Sequence, residues 1–199
     1  MNALTVNLHL LMMSFYRPNK KKYKIIMEEN AFSSDRYVVN SQLKLHGYNE
    51  SDIILLKTSN DLINEEYIIE TIEKNKDDVC MVLLPGIQYY TGQQFDLKNI
   101  SIKCKEYNII FGVDFAHAIG NVKINLNEID LDFATWCSYK YLNSGPGGIS
   151  GIYVNSRNLN NDLFRLEGWW GNKLSTRFEM RKQCDIDSSA EGWVISNPP

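Results

Sequence analysis

The 199-residue sequence has little that would bind a metal or cross a membrane. It has three histidines, which are far apart, and four cysteines with no C-x-x-C spacing, so the usual zinc patterns are missing. No apolar run approaches the roughly 18 residues of a membrane-spanning helix. Two of the cysteines lie in or beside apolar, strand-like runs, and we interpret all four as reduced core thiols of a cytoplasmic protein. They are Cys80, Cys104, Cys137 and Cys184.

The charge balance argues against a nucleic-acid-binding protein, and the amino-terminal residues argue against a signal peptide. A formal net charge of -3 gives no reason to expect a nucleic-acid partner. The first residues, MNALTVNLHLLMMSFY, are apolar but have neither a basic start nor an A-x-A cleavage pattern, so they predict a buried helix rather than a signal peptide. A hydrophobic content of 44% is enough for the core of one domain or of a piece of a larger one.

Strand-like and helix-like segments alternate along the chain. We predict strands in KIIM, DIILLK, VCMVLLPG, EYNIIFGVD, LDFATWCSYK and ISGIYVN. Helices are predicted in SSDRYVVNSQLKLHG, which ends at Gly47, and in NEEYIIETIEKN. This order is typical of a mostly parallel sheet with helices on both faces, that is, an α/β fold.

Two charged residues, Asp114 and Lys140, are predicted at carboxyl ends of strands, where open parallel sheets bind ligands. Asp114 closes the apolar run NIIFGV, and Lys140 lies between Tyr139 and Tyr141 before a glycine-rich run. Two interpretations remain open from spacing alone. One is a salt bridge between strand ends. The other is a pyridoxal phosphate (PLP) site, where a desolvated lysine of lowered pKa forms a Schiff base and the aspartate keeps the pyridine nitrogen protonated.

Longer motifs show a resemblance to a known family. They are NALTVNLHLLMMSFY, DFAHAIGNV, DFATWCSYKYLNSGPGG, GWWGNKLSTRFEM and ISNPP. Together they resemble the kynureninases, PLP-dependent enzymes of the aspartate-aminotransferase (type I) fold, over nearly all of the chain. The resemblance implies a large PLP-binding domain, with a mostly parallel sheet flanked by helices. It also favours the cofactor interpretation of Asp114 and Lys140 over the salt bridge.

The resemblance implies roles for single residues, and no metal. Lys140 corresponds to the catalytic Schiff-base lysine, and Asp114 to the partner of the pyridine nitrogen. The remaining cofactor-binding residues that it implies are Leu4 and Thr5 at a phosphate-binding helix start, Phe32 stacked on the ring, Asp35, His117, the phosphate ligand Tyr139, Trp169 and Asn197. Those that it implies for the substrate are Asn172, Ser196 and Asn197. Trp169 and Asn197 would reach the active site of a neighbouring subunit, which implies a homodimer with shared sites.

Some of these residues also have plain structural interpretations. Without the resemblance, Phe32 and Tyr139 would be core residues, and Ser33 or Ser34 a helix N-cap. Trp169, beside a second tryptophan, would be a core residue or an interface anchor.

Two positions depart from the animal members of the family. Pro85 stands in place of a serine near the cofactor, which removes one hydroxyl contact. Asn172 stands in place of a histidine near the aromatic ring of the substrate, and an amide there can hydrogen-bond but carries no charge. These changes bear on substrate preference more than on the type of reaction.

The resemblance implies hydrolysis of L-kynurenine to anthranilate and L-alanine, or of 3-hydroxy-L-kynurenine to 3-hydroxyanthranilate and L-alanine, in tryptophan catabolism and NAD biosynthesis. The family's subunit is roughly twice as long as this chain. Residues 1–199 are therefore expected to be the central part of the large domain, without the N-terminal segment and the C-terminal small domain, and inactivity of this piece alone is one expectation. The alternatives are a truncated non-catalytic fragment or another type I PLP enzyme, such as a cysteine desulfurase.

Overall fold

The computed structural model describes residues 1–159 and 162–197, and a single six-stranded sheet organises them. The strands are β1 (Lys24–Glu28), β2 (Ile53–Leu56), β3 (Val79–Pro85), β4 (Ile110–Asp114), β5 (Phe133–Trp136) and β6 (Gly151–Val154). Their order across the sheet is β2-β1-β3-β4-β5-β6. All neighbours pair in parallel except β6, which runs antiparallel to β5 at the edge. The predicted mostly parallel sheet is confirmed.

Helices cover both faces of this sheet. They are α1 (Leu4–Phe15), α2 (Ser33–Leu45), α3 (Glu65–Lys74), α4 (Leu97–Glu106), α5 (Leu126–Ile129), α6 (Ser156–Leu159) and α7 (Leu174–Arg177). Short 3-10 turns lie at Glu50–Asp52, Trp169–Gly171 and Ala190–Trp193. The apolar amino-terminal segment forms α1, with seven buried residues, so the prediction of a buried helix is confirmed.

Alternation along the strands divides the core into two layers. In β1, Ile26 packs in a cluster with α3 and α4, whereas its neighbours Ile25 and Met27 pack in a cluster with α1 and α2. Successive side chains of a strand point to opposite faces, so an apolar run such as KIIM fits a strand covered on both sides. The two layers hold the strand ends in fixed positions at the carboxyl edge of the sheet.

The strand register brings functional positions together at that edge. Pro85 pairs with Asp114, and Asp114 pairs with Thr135 on the next strand. The prediction that β5 continues to a point near Lys140 is wrong, because the strand ends at Trp136. Strand β4 ends at Asp114, which pairs with Thr135, so the residues after Trp136 have no β4 residue with which to pair. Hydrogen bonds within the next segment turn the chain instead, since the Ser144 amide donates to the Ser138 carbonyl oxygen at 3.2 Å.

The segment near the carboxyl end of the chain packs against α1. The Trp193 side chain is buried, and its Nε1 donates a hydrogen bond to Ser14 Oγ at 2.9 Å. The Trp193 ring also stacks on Phe15, with ring centroids 6.4 Å apart. These contacts hold residues 190–195 against the helix whose first turn lies at the carboxyl edge of the sheet.

The cysteines are free thiols, as the sequence predicts, and three of the four are buried in the core. All four are free thiols; Cys80, Cys104 and Cys137 are buried, and Cys184 is only partly covered. Among the described residues, each helix is too short or too polar to cross a bilayer.

Candidate active site

A small pocket, with a cavity volume of about 50 Å³, opens at the carboxyl edge of the sheet. Its walls come from the ends of β1, β3 and β4, the loop after β5, and the first turns of α1 and α2. Eight of the residues implied for the cofactor line it. They are Leu4, Thr5, Phe32, Asp35, Asp114, His117, Tyr139 and Lys140. The fold therefore gathers residues that are far apart in the sequence.

Lys140 lies at the mouth of this pocket, in the loop after β5. Its Nζ is 2.8 Å from Nε2 of His117 and 5.7 Å from the centre of the Phe32 ring. Burial, and then the charge of Lys140, lowers the pKa of His117, so the imidazole is neutral at pH 7 and Nε2 can accept a hydrogen bond from the lysine. The ring of Phe32 is an aromatic neighbour of the lysine in space, and Tyr139 lines the same pocket.

At the bottom of the pocket lie two buried carboxyl groups, Asp114 and Asp35. Asp114 Oδ1 accepts a hydrogen bond from the Ala116 amide at 2.7 Å. Burial raises the pKa of Asp114 to about 6, although the contacts with Ala116 and Asp35 act in the other direction. Burial also raises the pKa of Asp35, followed by the charge of Asp114 and the hydrogen bond between them. Both effects indicate that Asp35 is protonated and donates a hydrogen bond to the Asp114 carboxylate.

Two helices begin at the pocket without a side-chain cap. Neither Ala3 before α1 nor Phe32 before α2 provides a side-chain hydrogen bond to the first turn. The predicted cap by Ser33 or Ser34 is wrong, because the hydroxyl of Ser34 hydrogen-bonds to Thr5 Oγ1 at 2.6 Å. Uncapped first turns leave backbone N–H groups free, and the helix dipole adds positive potential, so this wall suits an anion such as a phosphate.

The other implied residues lie outside this pocket, in the segment after β6. Trp169 Nε1 donates to the Arg177 carbonyl oxygen at 2.9 Å, and its ring is 40% exposed. The side chain of Asn172 serves its own loop, since Oδ1 accepts from the Asp185 amide at 2.7 Å. Ser196 and Asn197 are exposed. A side chain at Gly168 would meet the backbone of Ile195, so Trp169 and Asn197 lie in neighbouring segments.

The pocket residues that sequence reasoning missed include Glu28 and Tyr89. Glu28 is the last residue of β1 and is 2% exposed. The signal that identified Asp114, an acid at the end of an apolar run, also applies to KIIME. The Tyr89 ring contacts Phe32 edge to face, with centroids 5.4 Å apart.

These groups fit a phosphorylated pyridine aldehyde. A primary amine, an aromatic face, a buried acid pair and two free helix starts surround one space. In addition, Asp35 Oδ1 is buried and has no hydrogen-bond partner among the described residues, so the pocket leaves a polar atom unsatisfied. A ring nitrogen that carries a proton is a donor suited to such an acid pair.

Comparisons with known proteins agree with this geometry. Curated relatives named kynureninase include one from Christiangramia forsetii, 46% identical, and one from Flavobacterium johnsoniae, 48% identical; each match covers 100% of this chain and 48% of the relative. The resemblance predicted from the motifs is thereby confirmed. The chain spans about half the length of the curated relatives that it matches.

Solved structures with the same fold are more distant in sequence. The apo cysteine desulfurase of Thermococcus onnurineus matches with a TM-score of 0.78 at 16% identity, over 99% of this chain and 46% of that one. A variant of the cystine C-S lyase C-DES with glycine covalently linked to its PLP cofactor matches with a TM-score of 0.80 at 13% identity, over 98% of this chain and 50% of that one. The profile of class-V aminotransferases matches residues 3–170. The chain belongs to the aminotransferase class-V family.

Proposed function

We propose that the protein containing this chain is a kynureninase, which uses PLP to hydrolyse L-kynurenine or 3-hydroxy-L-kynurenine. The products would be L-alanine with anthranilate or 3-hydroxyanthranilate, in tryptophan catabolism and NAD biosynthesis. The observation that carries the proposal is the position of Lys140 and the Asp35–Asp114 pair around one pocket, in a chain 46–48% identical to kynureninases. When bound, PLP supplies an aldehyde that condenses with amines and a ring that accepts electrons from bonds at the substrate's α-carbon.

Each wall of the pocket has a separate task in this proposal. The first turn of α1, with Leu4 and Thr5, binds the phosphate through free N–H groups, together with the Tyr139 hydroxyl. Phe32 covers one face of the ring and excludes water from it. Asp114, supported by Asp35, keeps the ring nitrogen protonated, which is the state that withdraws electrons most strongly.

Lys140 has two tasks, one covalent and one in proton transfer. Its amine would hold the aldehyde of PLP covalently, and as a free amine it would accept the proton from the α-carbon of the substrate. His117, neutral and 2.8 Å away, accepts a hydrogen bond from this amine and orients it. Hydrolysis of the bond between the β- and γ-carbons would then place the hydroxyl group of water on the γ-carbon and a proton on the β-carbon, which gives the aromatic acid and alanine.

The active site would be shared between two subunits. Trp169, Asn172, Ser196 and Asn197 do not line the pocket in the described part of this chain. In a two-fold homodimer, Trp169 and Asn197 of one subunit would complete the site of the other, with Trp169 reaching the phosphate and Asn197 the substrate. We further assign the protein to the cytoplasm, in keeping with its four free thiols.

A cysteine desulfurase would share this fold, but it needs an accessible nucleophilic thiol. The buried thiols Cys80, Cys104 and Cys137 are unsuited to that role. Cys184 is partly covered, and burial raises the pKa of its thiol, so the reactive thiolate is disfavoured. The kynureninase proposal therefore explains more of the site.

The test is an assay of the full-length protein with PLP and each substrate. Release of alanine together with anthranilate or 3-hydroxyanthranilate is expected. Release of alanine and sulfide from cysteine, with no reaction of either kynurenine, would replace the proposal by the desulfurase. A protein that binds PLP but turns over none of these would support the non-catalytic alternative.

A further inference from the structure

Glu28 is a buried acid that the proposed mechanism does not use. It ends β1, in register with Leu56 of β2, and only 2% of its surface is exposed. It lines the cofactor pocket and also a neighbouring pocket on the side of Thr58 and Gln93. An acid in such a position is rare unless another group holds it or uses it.

Gln88 holds this carboxyl group from the loop after β3. The side-chain oxygen of Gln88 accepts hydrogen bonds from the amides of Tyr90 and Thr91, at 2.6 and 2.8 Å. The amide NH₂ of Gln88 must therefore point the other way, where it donates to the Asn30 carbonyl oxygen at 3.1 Å and to Glu28. Because each Gln88 group has a partner, the Gln88 amide is held in place as a donor to the Glu28 carboxyl group.

The charge of Glu28 also acts on the acid pair Asp35 and Asp114. The charge of Glu28 raises the pKa of Asp35, in addition to burial and to the contact with Asp114. The charged groups of the other elements around the pocket are Asp35 on α2, Asp114 on β4 and Lys140 after β5. On β2, Lys57 pairs with the exposed Glu29. Three buried acids thus surround a pocket with a single lysine on its wall.

We propose that Glu28 is a positioning residue that acts through Asp35. The negative charge of Glu28 keeps Asp35 protonated, so that Asp35 can donate a hydrogen bond to Asp114. The inference rests on the proposed function, in which the Asp35–Asp114 pair keeps the nitrogen of the cofactor ring protonated. A negative Glu28 disfavours a second negative charge on Asp35, so the pair stays singly charged at higher pH.

The proposal has a definite pH dependence. Burial raises the pKa of Glu28 to about 7, with the Gln88 contact acting in the opposite direction. Below pH 7 Glu28 is neutral and resembles a glutamine, whereas above pH 7 its charge acts on Asp35. The effect of Glu28 should therefore be absent at pH 6 and present at pH 8.5.

The experiment measures the dissociation constant of PLP for the full-length protein at pH 6 and pH 8.5. Glu28→Gln keeps the size and the Gln88 contact. It is expected to bind PLP like the wild type at pH 6 and about tenfold more weakly at pH 8.5, the change that corresponds to about one pKa unit. Glu29→Gln, at the adjacent exposed acid, is the matched control and should behave like the wild type at both values.

A double-mutant cycle tests whether Glu28 acts through Asp35. In an Asp35→Asn background, Glu28→Gln should no longer change PLP affinity at pH 8.5, because the titrating partner is gone. Equal weakening at pH 6 and pH 8.5 would reduce Glu28 to a structural role and overturn the inference, and so would unchanged binding at both. Failure of the proposed function looks different, since the wild-type protein would then release neither anthranilate nor 3-hydroxyanthranilate from the two kynurenines, whether or not it binds PLP.

Discussion

The amine of Lys140 lies 2.8 Å from Nε2 of His117, although the two residues belong to different loops at the edge of the sheet. This contact fixes where the only lysine of the pocket wall, among the described residues, presents its nucleophile. Borohydride reduction of the full-length protein with PLP should therefore attach a pyridoxyl label to Lys140, detected by peptide mass spectrometry. Lys140→Ala should lose turnover by at least about a thousandfold, because it removes both nucleophile and base. Lys123→Ala, at an exposed lysine, serves as the control, and a label on any other lysine would refute the assignment.

Substitution of Asp114 should separate chemistry from stability. Asp114→Asn removes the charge that, in our proposal, keeps the ring nitrogen protonated, so we expect turnover to fall about a hundredfold or more while PLP still binds. The raised pKa of Asp114, about 6, means that its ionisation weakens the fold progressively as pH rises from about 4 to 6. The variant should lack this loss, so its melting temperature at pH 8, without cofactor, should equal or exceed that of the wild type. Near-normal turnover on kynurenine would assign the electron-withdrawing role elsewhere.

The pKa of His117 predicts the opposite dependence on pH. Because burial lowers this pKa, the neutral imidazole contributes stability that is complete above the unfolded value near 6.5 and is lost as pH falls through the folded value. His117→Gln keeps a hydrogen-bond acceptor without a titrating group. Its melting temperature should therefore fall less than that of the wild type between pH 7 and pH 5. Identical slopes for the two proteins would show that His117 does not carry this dependence.

The proposal of a site shared between two subunits predicts that two inactive variants complement each other. Full-length Lys140→Ala and Asn197→Ala proteins, dissociated and reassembled at equal concentration, should regain about a quarter of wild-type activity. Half of the dimers would be mixed, and one of the two sites in each would be intact. Reassembled Lys140→Ala protein alone is the control. If the mixture is no more active than its parents, Asn197 acts within its own subunit.

Close packing between two central strands predicts a stability effect away from the chemistry. Gly112 on β4 pairs with Phe133 on β5, and a Cβ at Gly112 would overlap the Phe133 ring. Gly112→Ala should destabilise the fold by about 1–3 kcal/mol, as overpacked cores do, measured by urea unfolding. Gly112→Ala combined with Phe133→Leu should recover part of this loss. An additive effect of the two changes would mean that the ring is not the cause.

How much of this protein could be predicted depended on whether each signal was local. The alternating apolar runs identify the parallel sheet, and Asp114 stands out as an acid at the end of one. Glu28 has the same signal, but Glu29 and Asn30 follow it, and the three together resemble the start of a polar loop. The missing serine cap of α2 could not be predicted, because Ser34 bonds to Thr5, which is distant in sequence. The roles proposed for Trp169 and Asn197 would depend on a second subunit, which one chain cannot supply.

The strand order has a consequence for the rate of folding. Every pairing from β2 to β5 joins parallel strands that are connected through a crossover, so the pocket forms only when long-range contacts do. Sheets of this kind fold slowly, since chain entropy is lost before the distant contacts form. Glu28, Asp114 and Lys140 would come together only late on this route, and a ligand that needs all three cannot assist the early steps. PLP should therefore slow the unfolding of the protein and leave its refolding rate almost unchanged.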